Sequence, residues 1–211
     1  MKSIFRSMWH SAEAMLGRRG YSIEWRPTAM RDRVNQLDCH FELAAAHLML
    51  RKKDVFFVEI GANDGIANDP IYPFVRDHGW QGLMLEPLPE IHAKLTKNHA
   101  NHPGINCIQA AISQHDGDAT IYTVDMAESQ FTKAHQFSSF RKDIVLSQID
   151  WVPNIAELIT EMRVRTMSWP TLMKQTGGRH IDVVQIDTEG FDAEILRMMD
   201  LSEWKPSIIH Y

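Results

Sequence analysis

An apolar run from Val55 to Ile60 is interrupted only by Glu59 and ends in a turn bracketed by Gly61 and Gly65. Four consecutive hydrophobic residues are typical of a strand that is buried on both faces, as in a parallel sheet. Glycine permits a tight turn and lets a ligand approach the backbone closely. The stretch therefore predicts a strand of a parallel sheet followed by a ligand-binding loop.

Further apolar runs alternate with helix-like segments along the chain. The predicted strands span residues 55–60, 82–86, 105–112, 181–187 and 207–210, and the predicted helices between them span residues 71–77, 89–98 and 192–199. The polar residues Asn68 and Asp69, followed by Pro70, predict the start of the first of these helices. Alternation at this spacing is typical of a doubly wound α/β sheet. The chain stops within the predicted fifth strand, so we expect the natural protein to continue or a partner to cover that edge.

Residues 1–53 predict an N-terminal helical extension, with an amphipathic helix over 1–20 and a second helix over 32–50. This extension is basic, because it holds 10 Lys and Arg residues against 5 Asp and Glu residues. Two interpretations stay open. The helices either present a solvated basic face or dock onto an anionic substrate or membrane headgroups.

Residues 54–211 are predicted to form the main domain. About 70 residues separate its third and fourth strands, which is far more than a crossover connection needs. Two segments in this excess, 119–124 and 162–167, are strand-like. We expect an insertion at about 125–165 that serves either as a lid or substrate wall or as a packed structural extension.

Composition restricts the partners and the compartment. The formal net charge of −5 argues against nucleic acid as the main partner. No apolar run approaches the ~20 residues that a membrane helix needs. The two cysteines, Cys39 and Cys107, are far apart and lack metal-ligand spacing. A reduced, cytoplasmic protein is the simplest interpretation, and a homo-oligomer stays open.

The glycine loop differs from the loop of dinucleotide-binding proteins. Those proteins need G-x-G-x-x-G, so that the pyrophosphate reaches a helix N-terminus. Here Asn63 and Ile66 stand at the second and third glycine positions. The carboxylate of Asp64 would repel a pyrophosphate but suits a cationic ligand. S-adenosylmethionine carries a sulfonium and an ammonium and no phosphate, and it is the cofactor that the loop favours.

Acidic residues at the ends of two predicted strands complete this cofactor site. Glu59 would reach the ammonium of the methionine part, and Glu86 would accept hydrogen bonds from the ribose hydroxyls. Small residues at the end of the third strand leave room for adenine. The predicted cofactor-binding residues are Glu59, Gly61, Asn63, Asp64, Gly65, Glu86, Gln109, Ala110 and Ala111. The alternative is that the two acids are satisfied structural residues and that the alanines pack a helix on the sheet.

Three residues near the ends of the last two strands are candidate catalytic groups. Asp187 and Glu189 follow the fourth strand, beside the point where the strand order reverses, and His210 lies at the end of the fifth. One of them would orient an acceptor hydroxyl or remove its proton. Methyl transfer is an in-line displacement that depends largely on alignment, so a strong base is helpful rather than obligatory. A divalent metal held by these residues is the less favoured alternative, and no metal site is predicted.

Together these motifs resemble those of the FkbM-type family of S-adenosylmethionine-dependent methyltransferases, over about residues 54–211. The segments that carry the resemblance are residues 59–65, 85–87, 111–113 with Asp116 and Gly117, 138–140 and 186–190. The resemblance implies a Rossmann-like class I methyltransferase sheet, here ending at the fifth strand, where the family normally adds two more strands.

The same resemblance implies O-methylation of a hydroxyl on a natural product, sugar or related metabolite. The expected partner is therefore a small-molecule or glycan acceptor. Two other functions stay open at this point. One is an NAD(P)-dependent oxidoreductase, and the other is a non-catalytic cofactor-binding or interaction module that keeps the fold without turnover.

Overall fold

The computed structural model describes residues 40–125, 137–152 and 154–211. The chain divides into two units, residues 1–53 and 54–211. In the first unit, helix α1 spans His40–Arg51 and overlaps the helix predicted over 32–50. The helix predicted over 1–20 lies outside the described residues. Among the described helices, none combines the length and the apolar character that a membrane span requires.

The second unit is built on two sheets. Its described strands are β1 Phe56–Ile60, β2 Gln81–Leu85, β3 Ile105–Ile108, β4 Ala111–Ser113, β5 Gly117–Val124, β6 Ile159–Ser168, β7 Val183–Ile186 and β8 Ile208–His210. The larger sheet has the order β3-β2-β1-β7-β8, and all of its neighbouring strands are parallel. This arrangement is consistent with the predicted Rossmann-like α/β fold.

The position of β1 in this sheet follows from its sequence. All five of its residues are buried, including Phe57 and Val58 at 0% exposure. A strand without a polar face is stable only where both faces are covered, as at the centre of a parallel sheet. The chain leaves β1 toward β2 and β3 and then returns to β7 on the opposite side. The strand order therefore reverses between β1 and β7, and ligands bind at the carboxyl ends of strands at such a point.

The strand predicted over 105–112 is wrong as a single element, because it divides into β3 and β4. The division occurs where β2 stops donating backbone hydrogen bonds to β3. Glu86 N–H still donates to Ile108 O, but Pro87 has no N–H, and Leu88 N–H donates to the Glu86 side chain instead. The chain then continues as β4, which pairs with β6 in the second sheet.

The second sheet has the order β4-β6-β5 and contains both strand-like segments predicted between the third and fourth main strands. β5 and β6 pair antiparallel from Gly117 opposite Thr166 to Val124 opposite Ile159. Between them, helices α4 (Lys142–Leu146) and α5 (Ile155–Leu158) flank a 3₁₀ turn at Ser147–Asp150. A small apolar core joins these helices to the end of β5. Its buried members are Val124, Val145, Val152, Ile155 and Leu158.

The remaining described helices are α2 Tyr72–His78, α3 Pro89–Asn98, α6 Trp169–Gln175 and α7 Asp192–Met198. The bounds of α3 agree with the prediction, but the predicted start of α2 is too early. α2 begins at Tyr72, because Asp69 Oδ1 accepts the backbone N–H groups of Ile71 and Tyr72, at 2.6 and 3.2 Å, and Pro70 lies before the helix. At the other end, Gly79 terminates α2 in a left-handed conformation, with φ 65°.

Candidate functional site

A cleft of about 280 Å³ lies at the carboxyl ends of β1, β2 and β7. One wall is the loop after β1, from Gly61 to Pro70, and the next is the end of β2 with residues 110–112. The turn after β7 and the segment 137–140 close the opposite side. The cleft therefore lies at the point where the strand order reverses, as predicted.

The structure brings together most of the predicted site residues. Those that line the cleft are Glu59, Gly61, Asn63, Glu86, Ala110, Ala111, Asp187 and Glu189. They come from separate segments of the chain. Only the parallel sheet, which aligns the ends of its strands at one edge, makes them neighbours.

Four predicted residues, Asp64, Gly65, Gln109 and His210, are not among the residues that line the cleft. Asp64 Oδ1 accepts the N–H groups of Ile66 and Ala67, at 3.0 and 2.8 Å, so this carboxylate is bound to its own loop. His210 Nδ1 lies 2.5 Å from the Oε1 atom of Gln185, which does line the cleft. His210 therefore contacts the site through Gln185.

The glycine loop is fixed from two sides. Gly61 and Ala62 donate their N–H groups to Leu85 O, both at 3.0 Å. Gly61 has φ 83°, and a Cβ there would lie 1.9 Å from the carbonyl oxygen of Asp187. Both the conformation and the space require glycine at this position. The loop is thus held between the end of β2 and the turn after β7.

Two residues at the end of α3 also bind the glycine loop. Asn98 Nδ2 donates to Asp64 O at 2.8 Å, and the buried His99 Nε2 lies 2.9 Å from Gly65 O. A carbonyl oxygen only accepts, so Nε2 carries the proton of this histidine. Burial lowers the pKa of His99 and keeps the ring neutral, while the bond to Gly65 opposes the shift. Gly65 faces this helix and not the cleft.

The most deeply buried acid of the site is Glu59, with 3% of its surface exposed. Its Oε2 atom and the Oδ2 atom of Asp69 are both buried, and neither accepts a hydrogen bond from a donor among the described residues. Burial raises the pKa of Glu59 well above its usual value, and the carboxyl of Asp69 beside it raises that pKa further. Burial also raises the pKa of Asp69, against the backbone hydrogen bonds from Ile71 and Tyr72, which lower it.

Glu86 joins two elements of the site through its carboxylate. Its Oε1 atom accepts Leu88 N–H at 2.8 Å, and its Oε2 atom accepts Asn63 N–H at 3.2 Å. Burial raises the pKa of Glu86 to about 7, although both hydrogen bonds lower it. Each carboxylate oxygen has a second lone pair. Glu86 therefore fixes the loop and retains acceptor capacity for ligand hydroxyls.

The turn after β7 presents two further carboxyl groups. Asp187 is exposed to the cleft, and Glu189 has φ 50°, a left-handed conformation that is uncommon outside glycine. Asp192 holds the turn, because its Oδ1 atom accepts from both the N–H and the hydroxyl of Thr188, at 2.8 and 2.7 Å. Burial, with the carboxylates of Asp187 and Asp192, raises the pKa of Glu189 to about 7.

An aromatic wall faces this turn. Phe140 packs edge-on against Phe191, with ring centroids 5.0 Å apart, and Phe137 also lines the cleft. The segment is anchored on β5, because Ser139 and Tyr122 exchange backbone hydrogen bonds at 2.8 and 2.9 Å. Phe137 and Phe140 add apolar surface beside the acidic turn.

Two residues of this site, Asp69 and Gln185, were not predicted, whereas Phe137 and Phe140 lie in the insertion predicted at about 125–165. The local pattern explains Asp69 only as a helix cap, since it stands before a proline at a helix start. Gln185 carried a usable signal, because a polar residue inside an otherwise apolar strand is unusual. Among the described residues, no group of three or more His, Cys, Asp or Glu side chains is placed to hold a metal ion.

The cleft has an acidic side chain at the end of each of two neighbouring strands, a glycine loop without the G-x-G-x-x-G pattern, and an acidic turn after β7. A family model described as the Methyltransferase FkbM domain matches residues 59–211. That range contains every described residue that lines the cleft. No curated protein and no solved structure matches the chain. The family match covers more than half of the sequence, supports a methyltransferase activity, and shows that this chain belongs to the FkbM methyltransferase family.

Proposed function

We propose that this protein is an S-adenosylmethionine-dependent methyltransferase that methylates a hydroxyl group of a small-molecule or glycan acceptor. One observation carries the proposal. Glu59 and Glu86 lie at the ends of the neighbouring strands β1 and β2 in a single cleft, and Glu59 keeps a buried oxygen without a donor among the described residues. Family membership supports the proposal independently.

The charge of the cleft fits this cofactor. Five carboxyl groups line it, and no lysine, arginine or histidine is among the described residues that do so. A phosphate-bearing cofactor would meet repulsion there, whereas a sulfonium and an ammonium would be attracted. The unpartnered oxygen of Glu59 suits the ammonium, because burying a carboxylate without a partner is costly.

With the ammonium group at Glu59, the ribose and the adenine of the cofactor would extend toward β2 and β3. Glu86, on the neighbouring strand, would accept hydrogen bonds from the ribose hydroxyls with its free lone pairs. Ala110 is fully buried and Ala111 nearly so, and both line the cleft beyond Glu86. Their small side chains would leave room for the flat adenine ring.

The acceptor would bind between the turn after β7 and the aromatic wall. When bound, S-adenosylmethionine supplies a methyl group on a positively charged sulfur. Glu189 would accept the proton of the acceptor hydroxyl, since a pKa of about 7 suits a general base at neutral pH. Asp187 would orient the same hydroxyl, and Phe137 and Phe140 would exclude water from it.

Binding of S-adenosylhomocysteine, the demethylated cofactor, tests the proposal. We expect it to raise the melting temperature of the wild-type chain and Glu86→Gln to remove most of that increase. Glu90→Gln is the matched control, because Glu90 is exposed on α3 four residues away, and this variant should respond like the wild type.

Two outcomes would contradict the proposal. Stabilisation by NADH and not by S-adenosylhomocysteine would favour an oxidoreductase. Binding of S-adenosylhomocysteine without methyl transfer to any acceptor in a broad panel of hydroxylated compounds would favour a non-catalytic module.

A further inference from the structure

Asp69 is a second acid in the wall of the cleft, ten residues beyond Glu59 in the chain. Its two oxygens have different environments. Oδ1 accepts the N–H groups of Ile71 and Tyr72 ahead of helix α2, which accounts for its local structural role. Oδ2 is buried without a donor among the described residues, next to the carboxyl of Glu59. The hydrogen bonds at the helix start therefore account for Oδ1 but not for the buried Oδ2.

The two unpartnered oxygens, Glu59 Oε2 and Asp69 Oδ2, belong to residues that line the same cleft. Two ionised carboxylates in contact repel each other, and burial with this repulsion raises the pKa of Glu59, so the pair favours holding one proton when no cation is bound. An ammonium group would replace that proton, because it offers three donors and a positive charge. Both orphaned oxygens would then have a charged partner.

No other described group near the pair supplies the missing positive charge. Asp187, on the turn after β7, raises the pKa of Glu59, and so does Cys107 on β3. Asp64, on the same loop, raises the pKa of Asp69. Every titratable neighbour that acts on the pair from these elements is thus acidic. A cationic group of a bound ligand would supply the partner that both oxygens lack.

We infer that Asp69 determines cofactor specificity by forming, with Glu59, a two-carboxylate subsite for the α-ammonium group of the amino-acid end of the cofactor. The inference rests on the proposed function, which requires only that the cofactor bind in the cleft. It adds a residue beyond the turn bracketed by Gly61 and Gly65 and states which chemical group of the cofactor that residue recognises.

The subsite has a consequence for protons. The ammonium stabilises both carboxylates in their ionised form, so the proton shared by the empty pair is released when the ligand binds. Affinity for an ammonium-bearing ligand therefore rises as the pH rises through the titration of the pair. A ligand without an ammonium group shows no such dependence from this pair.

Two ligands separate the subsite from the rest of the site. S-adenosylhomocysteine carries the amino-acid end, whereas 5′-methylthioadenosine has the same adenosine and thioether without it. Asp69→Asn keeps an oxygen that accepts from Ile71 and Tyr72, and replaces the charged Oδ2 with an uncharged NH2 donor that repels an ammonium group. We expect this variant to bind S-adenosylhomocysteine at least about tenfold more weakly and 5′-methylthioadenosine with unchanged affinity.

Asp64→Asn is the matched control. Asp64 lies on the same loop and likewise accepts two backbone N–H groups through Oδ1, but it does not line the cleft. Because Asp64 acts on Asp69 only through its charge and lies outside the cleft, this variant should lose far less affinity for S-adenosylhomocysteine than Asp69→Asn does, and none for 5′-methylthioadenosine. Calorimetry in two buffers of different ionisation enthalpy should show that the wild type releases more protons on binding S-adenosylhomocysteine than Asp69→Asn does.

The outcomes distinguish the inference from the proposed function. If the wild type binds neither ligand, the proposed function fails. If the wild type binds S-adenosylhomocysteine and Asp69→Asn binds it equally well, the inference is overturned. Equal loss of both ligands also overturns it, since that result indicates a structural role for Asp69.

A second measurement needs no variant. An analogue of S-adenosylhomocysteine with hydrogen in place of the α-amino group should bind the wild type at least about tenfold more weakly than the parent compound. Equal affinity for the two compounds would overturn the inference even if Asp69→Asn failed to fold.

Discussion

Gly61 lies against the carbonyl oxygen of Asp187 so closely that a Cβ on Gly61 would stand 1.9 Å from it. This contact joins the loop after β1 to the turn after β7, and these segments are far apart in the chain. The glycine loop and the acidic turn, which line the same cleft, are therefore positioned against each other by a backbone contact that only glycine allows.

Gly61→Ala should accordingly be strongly destabilising. The methyl group meets backbone atoms that cannot rotate away, in addition to the cost of a left-handed alanine. We expect a loss of about 3 kcal/mol or more in the free energy of unfolding, measured by denaturant titration.

Gly79→Ala is the control for the conformational part of this loss. Gly79 also has a left-handed φ of 65°, but no atom lies within 4 Å of the position that an alanine methyl group would take there. We expect this variant to lose only about 1 kcal/mol. Equal losses in the two variants would show that the contact with Asp187 is unimportant.

Glu86 should make the stability of the ligand-free protein depend on pH. Its pKa is about 7 in the folded chain, because burial disfavours the carboxylate, and its ordinary value is 4.5. A raised pKa stabilises the fold fully below pH 4.5, and this contribution is lost as the pH rises through 7. The loss amounts to about 3 kcal/mol between pH 4.5 and 8.

Glu86→Gln should therefore flatten the pH dependence of the free energy of unfolding over this range. The exposed Glu90 again provides the control, and Glu90→Gln should keep the slope of the wild type. A wild-type slope in the Glu86→Gln variant would contradict the assignment of this titration to Glu86.

His99 should act in the opposite direction. Burial lowers its pKa, so the unfolded chain takes up a proton before the folded chain does. The contribution of His99 to stability is therefore lost as the pH falls below about 6.5. His99→Gln should remove part of the acid destabilisation between pH 6.5 and 5, measured by thermal unfolding.

The exposed His115 is the control for this experiment, because it lies outside the loop contacts of α3. His115→Gln should leave the acid destabilisation unchanged. The hypothesis is rejected if both substitutions change the pH profile equally.

The sequence predicted those parts of the fold that depend on local pattern. β1 and β2 were recognisable because their apolar runs are buried on both faces. Glu59 and Glu86 were recognisable because each is a charged residue at the end of such a run. The division at residues 108–111 could not be predicted, because it depends on hydrogen bonds from another strand. Beyond Glu86, β2 offers no further N–H group to β3, since Pro87 has none and Leu88 N–H donates to the Glu86 side chain.

The same limit applies to the acids of the glycine loop. Asp64 and Asp69 look alike in the sequence, and both accept two backbone N–H groups. Only Asp69 lines the cleft, because the loop turns between them at Asn68, which has φ 61°. The acid of this loop that lines the cleft is thus Asp69, a residue that the local pattern assigned to helix capping, and not Asp64.

Glu189 should affect turnover more than cofactor binding. Its pKa of about 7, raised by burial and by the carboxylates of Asp187 and Asp192, suits proton removal from an acceptor. Glu189→Gln should lower kcat by about a hundredfold, remove the acid limb of the pH–rate profile near 7 and leave the affinity for S-adenosylhomocysteine unchanged.

Glu194→Gln is the comparison for this loss, because Glu194 lies on α7 and pairs with Arg197 at 3.7 Å. That variant should keep wild-type turnover and pH dependence. Unchanged kcat in Glu189→Gln would assign proton removal to another group or to solvent.

The most direct test of the central claim, that this cleft binds S-adenosylmethionine, is a crystal structure of the protein with S-adenosylhomocysteine. We predict the α-ammonium group within hydrogen-bond distance of Glu59 and the ribose hydroxyls within hydrogen-bond distance of Glu86. A ligand bound outside the cleft, or bound in it with adenine against Glu59, would contradict the account.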